Sequence, residues 1–260
     1  NVAATGATPH AITECLCFGN PENPEQMWQF AEATKGVADA CKSIHLKHNP
    51  DHSVPIIAGN VSFYNESASG AIPPSPIVSC LGKLVDVNRA ITTGFKKKGS
   101  KIILIGERKN ELGGSLYYSL FNSLGKNLPK PNLGEVEAEI WALTDLIDKK
   151  LVLSAHDISD GGIAIALSEM ALQNEIGFEI SMETDFRDDI WLFSETGGFV
   201  IEVEENSVSN ALIVMSKYNI HYEEIGKTTE HQAMVFGETI HMPISKAKDG
   251  WKKSLRNKIK

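Results

Sequence analysis

The 260-residue sequence predicts a protein of the α+β or α/β class with two domains. Its length exceeds that of a typical single domain. Apolar stretches with strand and helix periodicity alternate along the second part of the chain, which is typical of a layered mixture of sheet and helices. Gly94 and Gly99 flank three lysines just before a new apolar strand. We therefore predict domains at residues 1–96 and 97–260.

Composition narrows the class of protein. Hydrophobic residues make up 42% and charged residues 22% of the chain, which suits a folded protein with a sizeable core. A net charge of -8 argues against nucleic acid as a partner, because phosphate-backbone binding requires clustered Lys and Arg. No apolar run reaches the roughly 18 residues of a membrane span. We expect no membrane partner and a cytoplasmic location. Because the chain starts without a methionine, in what reads as a folded segment, we expect part of a longer chain.

The predicted amino-terminal domain contains strands, one long helix and a loop. A β-prone stretch covers 11–18, and apolar residues at helical spacing predict a helix over 25–43. Residues 47–53 are polar and predict a loop. Three nearby prolines predict that 77–82 is an edge strand or a crossing strap rather than an inner strand.

The predicted carboxy-terminal domain alternates strands and helices. Its predicted strands are 101–105, 152–154, 178–180 and 198–203; its predicted helices are 134–149, 163–173, 208–218 and a basic terminal helix over 246–260.

The stretch from Pro55 to Glu66 is the first candidate for chemistry. A short apolar run breaks at Ala58-Gly59 into polar residues that include Asn60 and Ser62. A glycine followed by oxygen and amide ligands predicts a turn where the backbone approaches a bound anion.

The stretch from Ser154 to Ile163 is the second candidate, and it has two interpretations. Free amides at the start of a helix could face phosphate while Asp157 or Asp160 faces Mg²⁺. Alternatively, Ser159 or Asp160 caps the helix and the diglycine permits close packing. Local chemistry does not separate the two. Weaker candidates are Glu195, which precedes a glycine pair, and the turn at residues 112–115, which could bind an anion.

The four cysteines are sparse and predict reduced structural thiols rather than a zinc site. We expect Cys15 and Cys17 to point to opposite faces of their strand.

Several motifs together resemble a known family. These are Gly19-Asn-Pro-Glu-Asn-Pro-Glu25, Gly59-Asn-Val-Ser-Phe-Tyr-Asn-Glu66, Gly113-Gly-Ser115 and Ala155-His-Asp-Ile-Ser-Asp-Gly-Gly162. In this order they are similar to the second half of the synthetase subunit of the phosphoribosylformylglycinamidine synthase (PurL-type) family, from Ala3 to about Trp251. The resemblance implies an AIR synthetase-like fold, with a partial half-barrel amino-terminal domain and a carboxy-terminal α/β sandwich.

The resemblance also implies a reaction. The family uses ATP to phosphorylate the formamide oxygen of formylglycinamide ribonucleotide, and ammonia then displaces phosphate from the iminophosphate to give the amidine, a step of purine biosynthesis. The implied partners are the first half of the same synthetase chain, a glutaminase subunit and a small PurS-type subunit; the isolated chain could also form a homodimer. The family's catalytic histidines lie in the first half, so no catalytic residue is expected here and the chain alone should be inactive.

Matched by motif position, the resemblance assigns ATP contacts to Glu14 and Gly59, Mg²⁺ to Asn60, and substrate to Ser62. Asp157 is a further metal candidate through the family's internal repeat. Glu14 stands where the family has aspartate.

Two further substitutions depart from the family pattern: Cys17 stands where it has asparagine, and Gly198 where it has arginine. Two other interpretations stay open. The chain could be a non-catalytic assembly repeat of the same enzyme, or a related kinase or synthetase, which the Gly59–Glu66 motif disfavours.

Overall fold

The computed structural model describes residues 1–259. The chain forms two compact units. The amino-terminal unit contains Val2 and Ala7–Val85, and the carboxy-terminal unit contains Asn1, Ala3–Gly6 and the chain from Asp86 onward. The domain boundary at 96/97 stays a prediction.

Both units contain strands and helices. In chain order, the strands are β1 (Thr8–Cys17), β2 (His45–Leu46), β3 (Asn49–Ser53), β4 (Ile56–Ser62), β5 (Glu66–Ser67), β6 (Gly70–Ala71), β7 (Ser75–Lys83), β8 (Lys101–Ile105), β9 (Ser154–Asp157), β10 (Gly177–Ile180), β11 (Phe199–Val203), β12 (Tyr222–Thr229), β13 (Ala233–Phe236) and β14 (Ile240–Pro243). The helices are α1 (Pro24–Ser43), α2 (Leu116–Ser119), α3 (Leu133–Asp148), α4 (Gly162–Asn174), α5 (Asp188–Phe193), α6 (Val208–Met215) and α7 (Ile244–Lys258).

The amino-terminal unit is built on a three-stranded sheet in the order β4-β1-β7. The central strand β1 runs parallel to β4 and antiparallel to β7. Helix α1 begins where Asn23 accepts a hydrogen bond from the Glu25 amide and Pro24 occupies the first turn. It packs on the face of β1 that carries Leu16, because Phe30 of α1 meets Phe18 edge to face with ring centroids 5.4 Å apart.

Two predictions in this unit were wrong. Residues 47–53 are not all loop, since β2 and β3 pair as a small antiparallel ladder, anchored where Ser53 donates to the Lys42 carbonyl at the end of α1. The expected turn at Gly59 is a continuous strand. Gly59 and Asn60 lie opposite Glu14 and Cys15 in the parallel ladder, and backbone pairing with β1 does not depend on the polar side chains of β4.

The carboxy-terminal unit contains a seven-stranded mixed sheet in the order β14-β13-β10-β12-β8-β11-β9. Strand β8 is buried on both faces, with Ile102 to Ile105 at most 1% exposed. Ile102 and Leu104 belong to a core that includes Leu167 and Met170 of α4. Ile103 and Ile105 point to the opposite face. Each such buried side chain contributes roughly 1.5–3 kcal/mol, so β8 is the centre of this unit.

The sequence located most elements of this unit but not all. Strand β9 covers Ser154–Asp157 rather than the predicted 152–154, because His156 and Asp157 pair with β11. Strands β12 to β14 were missed as a group, since β12 carries three charged residues and a glycine rather than an apolar run. The predicted terminal helix is confirmed as α7. The α+β or α/β class is confirmed as well.

Candidate functional site

Gly59 and Glu14 form the first part of the candidate site. They are opposite each other in the β1–β4 ladder. A Cβ atom on Gly59 would lie 2.7 Å from Cγ and 2.8 Å from Oε1 of Glu14. A side chain at position 59 would therefore displace the Glu14 side chain. The carboxylate above Gly59 disfavours a bare anion on this face, and favours hydroxyl or amine donors, or a cation, instead.

Asn60 and Ser62 lie on the other face of β4, because side chains alternate along a strand. The Asn60 side chain is exposed, and its amide nitrogen donates to the Cys15 sulfur at 3.3 Å. Within the described chain, the Asn60 amide oxygen has no hydrogen-bond partner. It remains available to a ligand.

Asn65 holds Ser62 in place. Its amide nitrogen donates to the Ser62 carbonyl at 2.8 Å and to the Phe18 carbonyl at 3.0 Å. The Ser62 hydroxyl in turn donates to the Asn65 side-chain oxygen at 3.2 Å. Tyr64 adopts a positive φ of 58° between them. The motif residues after Ser62 thus brace the end of β4 against the end of β1.

An open groove of about 430 Å³ runs along these strands. It is lined by Thr13, Glu14, Cys15, Ala58, Gly59, Asn60, Ile77 and Ser79. Glu14, Gly59 and Asn60 all border the groove, but the Glu14 side chain lies over Gly59 on the face of the sheet opposite the Asn60 side chain. Ser62 lies two residues beyond Asn60, on the same face. Asp157 belongs to the carboxy-terminal unit.

The groove fits Mg²⁺ only in a limited way. Mg²⁺ prefers oxygen ligands and is commonly held by one or two protein groups together with substrate phosphates. Asn60 offers one such oxygen. In residues 1–259 there is no group of three or more His, Cys, Asp or Glu side chains arranged to hold a metal ion. The protein groups near Asn60 thus suit a cation that arrives with its phosphates.

The expectation that Cys15 and Cys17 point to opposite faces is wrong. Their sulfur atoms are 3.6 Å apart. Residues two positions apart on a strand share a face because the side-chain period is two. The hydrogen bond between the thiols raises the pKa of Cys17.

The diglycine at the start of α4 shows a different arrangement. The Gly161 amide donates to Glu195 Oε1 at 2.8 Å, and the same oxygen accepts the Leu116 amide at 2.8 Å. The Gly162 amide donates to the Ser159 carbonyl at 2.9 Å. The amides expected to be free for phosphate are therefore already used, and Glu195 serves as the internal anion.

The packing interpretation of this diglycine is supported, but its capping part is wrong. Gly161 is the N-cap with φ 78°, and no side chain caps the helix. Gly162 has φ 68°, and a Cβ there would lie 2.6 Å from the Leu192 carbonyl oxygen. Backbone conformation and close packing thus require both glycines.

Asp157 is held within its own unit. With the Asn1 side-chain nitrogen turned toward it, Asn1 donates to both Asp157 carboxylate oxygens at 2.8 and 3.0 Å. The neighbouring His156 uses both ring nitrogens, Nδ1 against the Asp157 carbonyl at 2.7 Å and Nε2 against Glu169 at 2.9 Å. A metal ion at Asp157 would have to displace the Asn1 contact.

Sequence reasoning missed a buried polar cluster beside Glu195. The Arg108 guanidinium is 6% exposed, donates to the Thr196 carbonyl at 2.7 Å and also contacts the Ser194 carbonyl. Burial lowers the pKa of Arg108 to about 10. Glu111 accepts from the Thr196 hydroxyl at 2.8 Å. No motif signals these residues, because each is defined by partners distant in sequence.

Glu139 of α3 is a buried carboxyl group in the same region. It is 8% exposed and lines a cavity of about 210 Å³ together with Glu111, Glu195 and Thr196. Burial, with a smaller contribution from Glu135, raises the pKa of Glu139 to about 7.

Comparison with models of known families shows the family of this chain. Residues 1–84 match the model of the AIR synthase related protein N-terminal domain, and residues 97–237 match that of the C-terminal domain. The second match covers more than half of the chain. The chain belongs to the AIR synthase related protein family. The AIR synthetase-like fold is therefore confirmed, and the candidate groove lies within the family's N-terminal domain.

Two similar proteins have the same name. The chain is 38% identical to phosphoribosylformylglycinamidine synthase subunit PurL of Methanothrix thermoacetophila, over 100% of this chain and 35% of the relative. It is 37% identical to the same subunit of Thermobifida fusca, over 98% of this chain and 33% of the relative. The PurL-type resemblance is confirmed. The chain spans about a third of the length of these relatives.

Solved structures show the same fold. T. maritima PurL complexed with FGAR matches with a TM-score of 0.73 at 16% identity, covering 95% of this chain and 40% of that one. The hydrogenase maturation protein HypE matches with a TM-score of 0.63 at 14% identity, covering 90% and 75%. At these identities the likeness concerns the fold alone.

Among the helices of residues 1–259, none combines the length and the apolar character needed to cross a membrane.

Proposed function

We propose that this chain contributes to an ATP-dependent ligase that forms a carbon–nitrogen bond in purine biosynthesis. In the proposed reaction, the terminal phosphoryl group of ATP is transferred to the formamide oxygen of formylglycinamide ribonucleotide. Glutamine-derived ammonia then adds to the same carbon, and phosphate leaves with the oxygen to give the amidine. The cytoplasm is the proposed location.

The observation that carries this proposal is the groove along β1 and β4. Asn60 presents an unpaired amide oxygen there, and Asn65 braces the neighbouring Ser62. PurL relatives at 34–38% identity extend over nearly the whole chain, which supports carrying their activity to this groove as a proposal.

The proposed roles follow the chemistry of each group. Asn60 is an oxygen ligand for Mg²⁺ that arrives with ATP, and Ser62 is a hydrogen-bond partner of the substrate. Glu14 and Gly59 are the proposed ATP contacts; the Glu14 carboxylate lies on the face of the sheet opposite Asn60, where it can accept from a donor group such as a ribose hydroxyl. Mg²⁺, when bound, neutralises phosphate charge. Asp157 is a weaker metal candidate than Asn60, because Asn1 occupies its carboxylate and has to be released before a metal ion can bind.

The exposed apolar residues of the amino-terminal sheet support a protein partner. Ile57 on β4 is 60% exposed, and Ile77 on β7 is 55% exposed. Both strands are edges of the sheet, where unpaired backbone groups favour further pairing. We propose that the first half of the synthetase covers them. A glutaminase subunit and a small PurS-type subunit are the further proposed partners, supported by the solved PurLQS assembly of Thermotoga maritima.

The test is turnover of the full-length enzyme that contains these residues. Asn60→Ala and Ser62→Ala should each lower turnover by about a hundredfold while leaving the melting temperature unchanged. Ser79→Ala, also in the groove but on β7, is the matched control and should keep turnover within about twofold. Normal turnover of Asn60→Ala would contradict the proposal.

A second candidate function is a non-catalytic assembly repeat of the same enzyme. The exposed edge strands favour it, because they fit a partner whether or not ligand binds. This alternative predicts loss of assembly or of thermal stability in the same variants, with normal turnover per assembled enzyme. Native mass spectrometry with and without Mg-ATP reports assembly and bound nucleotide together.

The chain by itself should not complete the reaction. Incubating it with ATP, ammonia and formylglycinamide ribonucleotide should yield no amidine product. Product formation by these residues alone would show that they contain a complete active site.

A further inference from the structure

Two thiols lie side by side on the open face of the amino-terminal sheet. The sulfur atoms of Cys15 and Cys17 are 3.6 Å apart, and both side chains are partly accessible to solvent. Two thiolates that share one tetrahedral ion, each at 2.3 Å, are separated by about 3.8 Å. The pair already has close to the separation that a single metal ion requires.

We propose that Cys15 and Cys17 bind one soft divalent cation, of the class of Zn²⁺ and Cd²⁺. Thiolates select soft cations over hard ones such as Mg²⁺. Each thiol releases its proton to solvent when it coordinates the ion. The site goes beyond the proposed function and does not depend on it.

Oxygen donors adjoin the sulfur pair. The Asn60 amide lies 3.3 Å from the Cys15 sulfur, and rotation of that amide turns its oxygen toward the same place. Ser62 and Ser75 are the cross-strand neighbours of Cys17 on β4 and β7. These groups and water complete the coordination.

The strand geometry favours a metal ion over a disulfide. Strand β1 is paired on both sides, which holds its backbone extended. Cα atoms two residues apart on an extended strand are separated by about 6.6 Å, near the upper limit for a disulfide. A disulfide would also require the sulfur atoms to approach by a further distance of roughly 1.5 Å. A metal ion instead spans the gap that exists.

The test is a titration of the reduced chain with Cd²⁺ alone, followed by thiolate-to-cadmium charge-transfer absorption and by native mass spectrometry. We expect one bound ion. Cys15→Ser and Cys17→Ser should each weaken binding by at least about tenfold, because each removes one of two thiolates. Cys41→Ser and Cys80→Ser are the matched controls, and they should bind within about twofold of the unmodified chain. Thermal unfolding of each variant confirms that it folds.

A measurement on the unmodified chain tests the site without any variant. Cd²⁺ should protect Cys15 and Cys17 from alkylation while leaving the exposed Cys80 reactive, as read by peptide mass spectrometry. A large excess of Mg²⁺ should not remove that protection. Unchanged binding in both serine variants, or protection of Cys80 in place of the pair, would overturn the site.

Discussion

Two glycine-containing polar motifs, one in each unit, look alike in sequence and differ in structure. Along β4, Gly59 and Asn60 lie at an open groove, and the Asn60 oxygen is unpaired. At the start of α4, the Gly161 and Gly162 amides are both paired inside the protein. A motif can bind a ligand only through donors and acceptors that are not already hydrogen-bonded within the protein. The contrast therefore favours β4 as the site of chemistry and the diglycine as structure.

The largest expected effect is on the free energy of unfolding, where alanine at Gly162 and alanine at Gly59 should differ. Gly162→Ala should destabilise the protein by about 4 kcal/mol, because its positive φ and a backbone oxygen 2.6 Å from the new Cβ both oppose it. Gly59→Ala should cost only about 1 kcal/mol, since the Glu14 side chain can move away. Urea unfolding measures both. Equal costs would contradict the contrast between the two motifs.

The double variant Glu14→Ala with Gly59→Ala is the control for that explanation. Removing the Glu14 side chain leaves room for the new Cβ, so the double variant should be no less stable than Glu14→Ala alone. Additive losses would show that the strand backbone, rather than Glu14, requires glycine.

The next effect concerns the unpaired amide. Asn60→Ala in the full-length enzyme should lower turnover by about a hundredfold, equivalent to about 2.7 kcal/mol of transition-state stabilisation. Asp157→Asn should change the Mg²⁺ dependence of turnover by less than about threefold, because Asn1 already occupies its carboxylate. Steady-state kinetics over a range of Mg²⁺ concentrations measures both. A large shift in the Mg²⁺ requirement of Asp157→Asn would return Asp157 to the metal site.

A smaller effect tests the internal anion. Glu195→Ala removes the acceptor of the Gly161 and Leu116 amides and should lower the free energy of unfolding by about 2 kcal/mol. Thermal unfolding measures the loss. Glu195→Gln keeps an acceptor oxygen and should recover most of it; a glutamine variant as unstable as the alanine variant would show that the negative charge matters more than the hydrogen bonds.

The smallest effect concerns Glu139, a buried carboxyl group of the carboxy-terminal unit. The pKa of Glu139 is raised by burial to about 7, from the 4.5 expected for an accessible glutamate. The folded state therefore binds more protons than the unfolded state between these values, so the contribution of Glu139 to stability falls as pH rises from about 4.5 to about 7. Glu139→Gln should remove this slope and raise stability at pH 8 relative to pH 5.

Urea unfolding at the two pH values measures the Glu139 effect. Glu135→Gln is the comparison: it removes only the smaller of the two contributions to the Glu139 pKa, so it should reduce the slope much less than Glu139→Gln does. A Glu139→Gln variant with the unmodified pH dependence would show that the carboxyl group is not the source.

Local sequence patterns are enough to predict the fold class, most helices and several of the inner strands. Apolar spacing predicts helix α1, and an uninterrupted apolar run predicts β8. Local periodicity reports which face of an element is buried. The same reasoning fails for β12, which has three charged residues and a glycine among its eight residues and is held by its neighbours on both sides.

Which polar groups remain available depends on tertiary packing. In the sequence, Glu195 and Gly161 are separate motifs 34 positions apart, and the fold joins them in one hydrogen bond. Cys15 and Cys17 form a pair because β1 is a paired, extended strand. Hydrogen bonds between distant residues depend on packing, which local patterns do not record. The motif at Gly59 can therefore be found from the sequence. Only the structure shows that this motif borders an open groove and that the amides of the Gly161-Gly162 motif are already hydrogen-bonded.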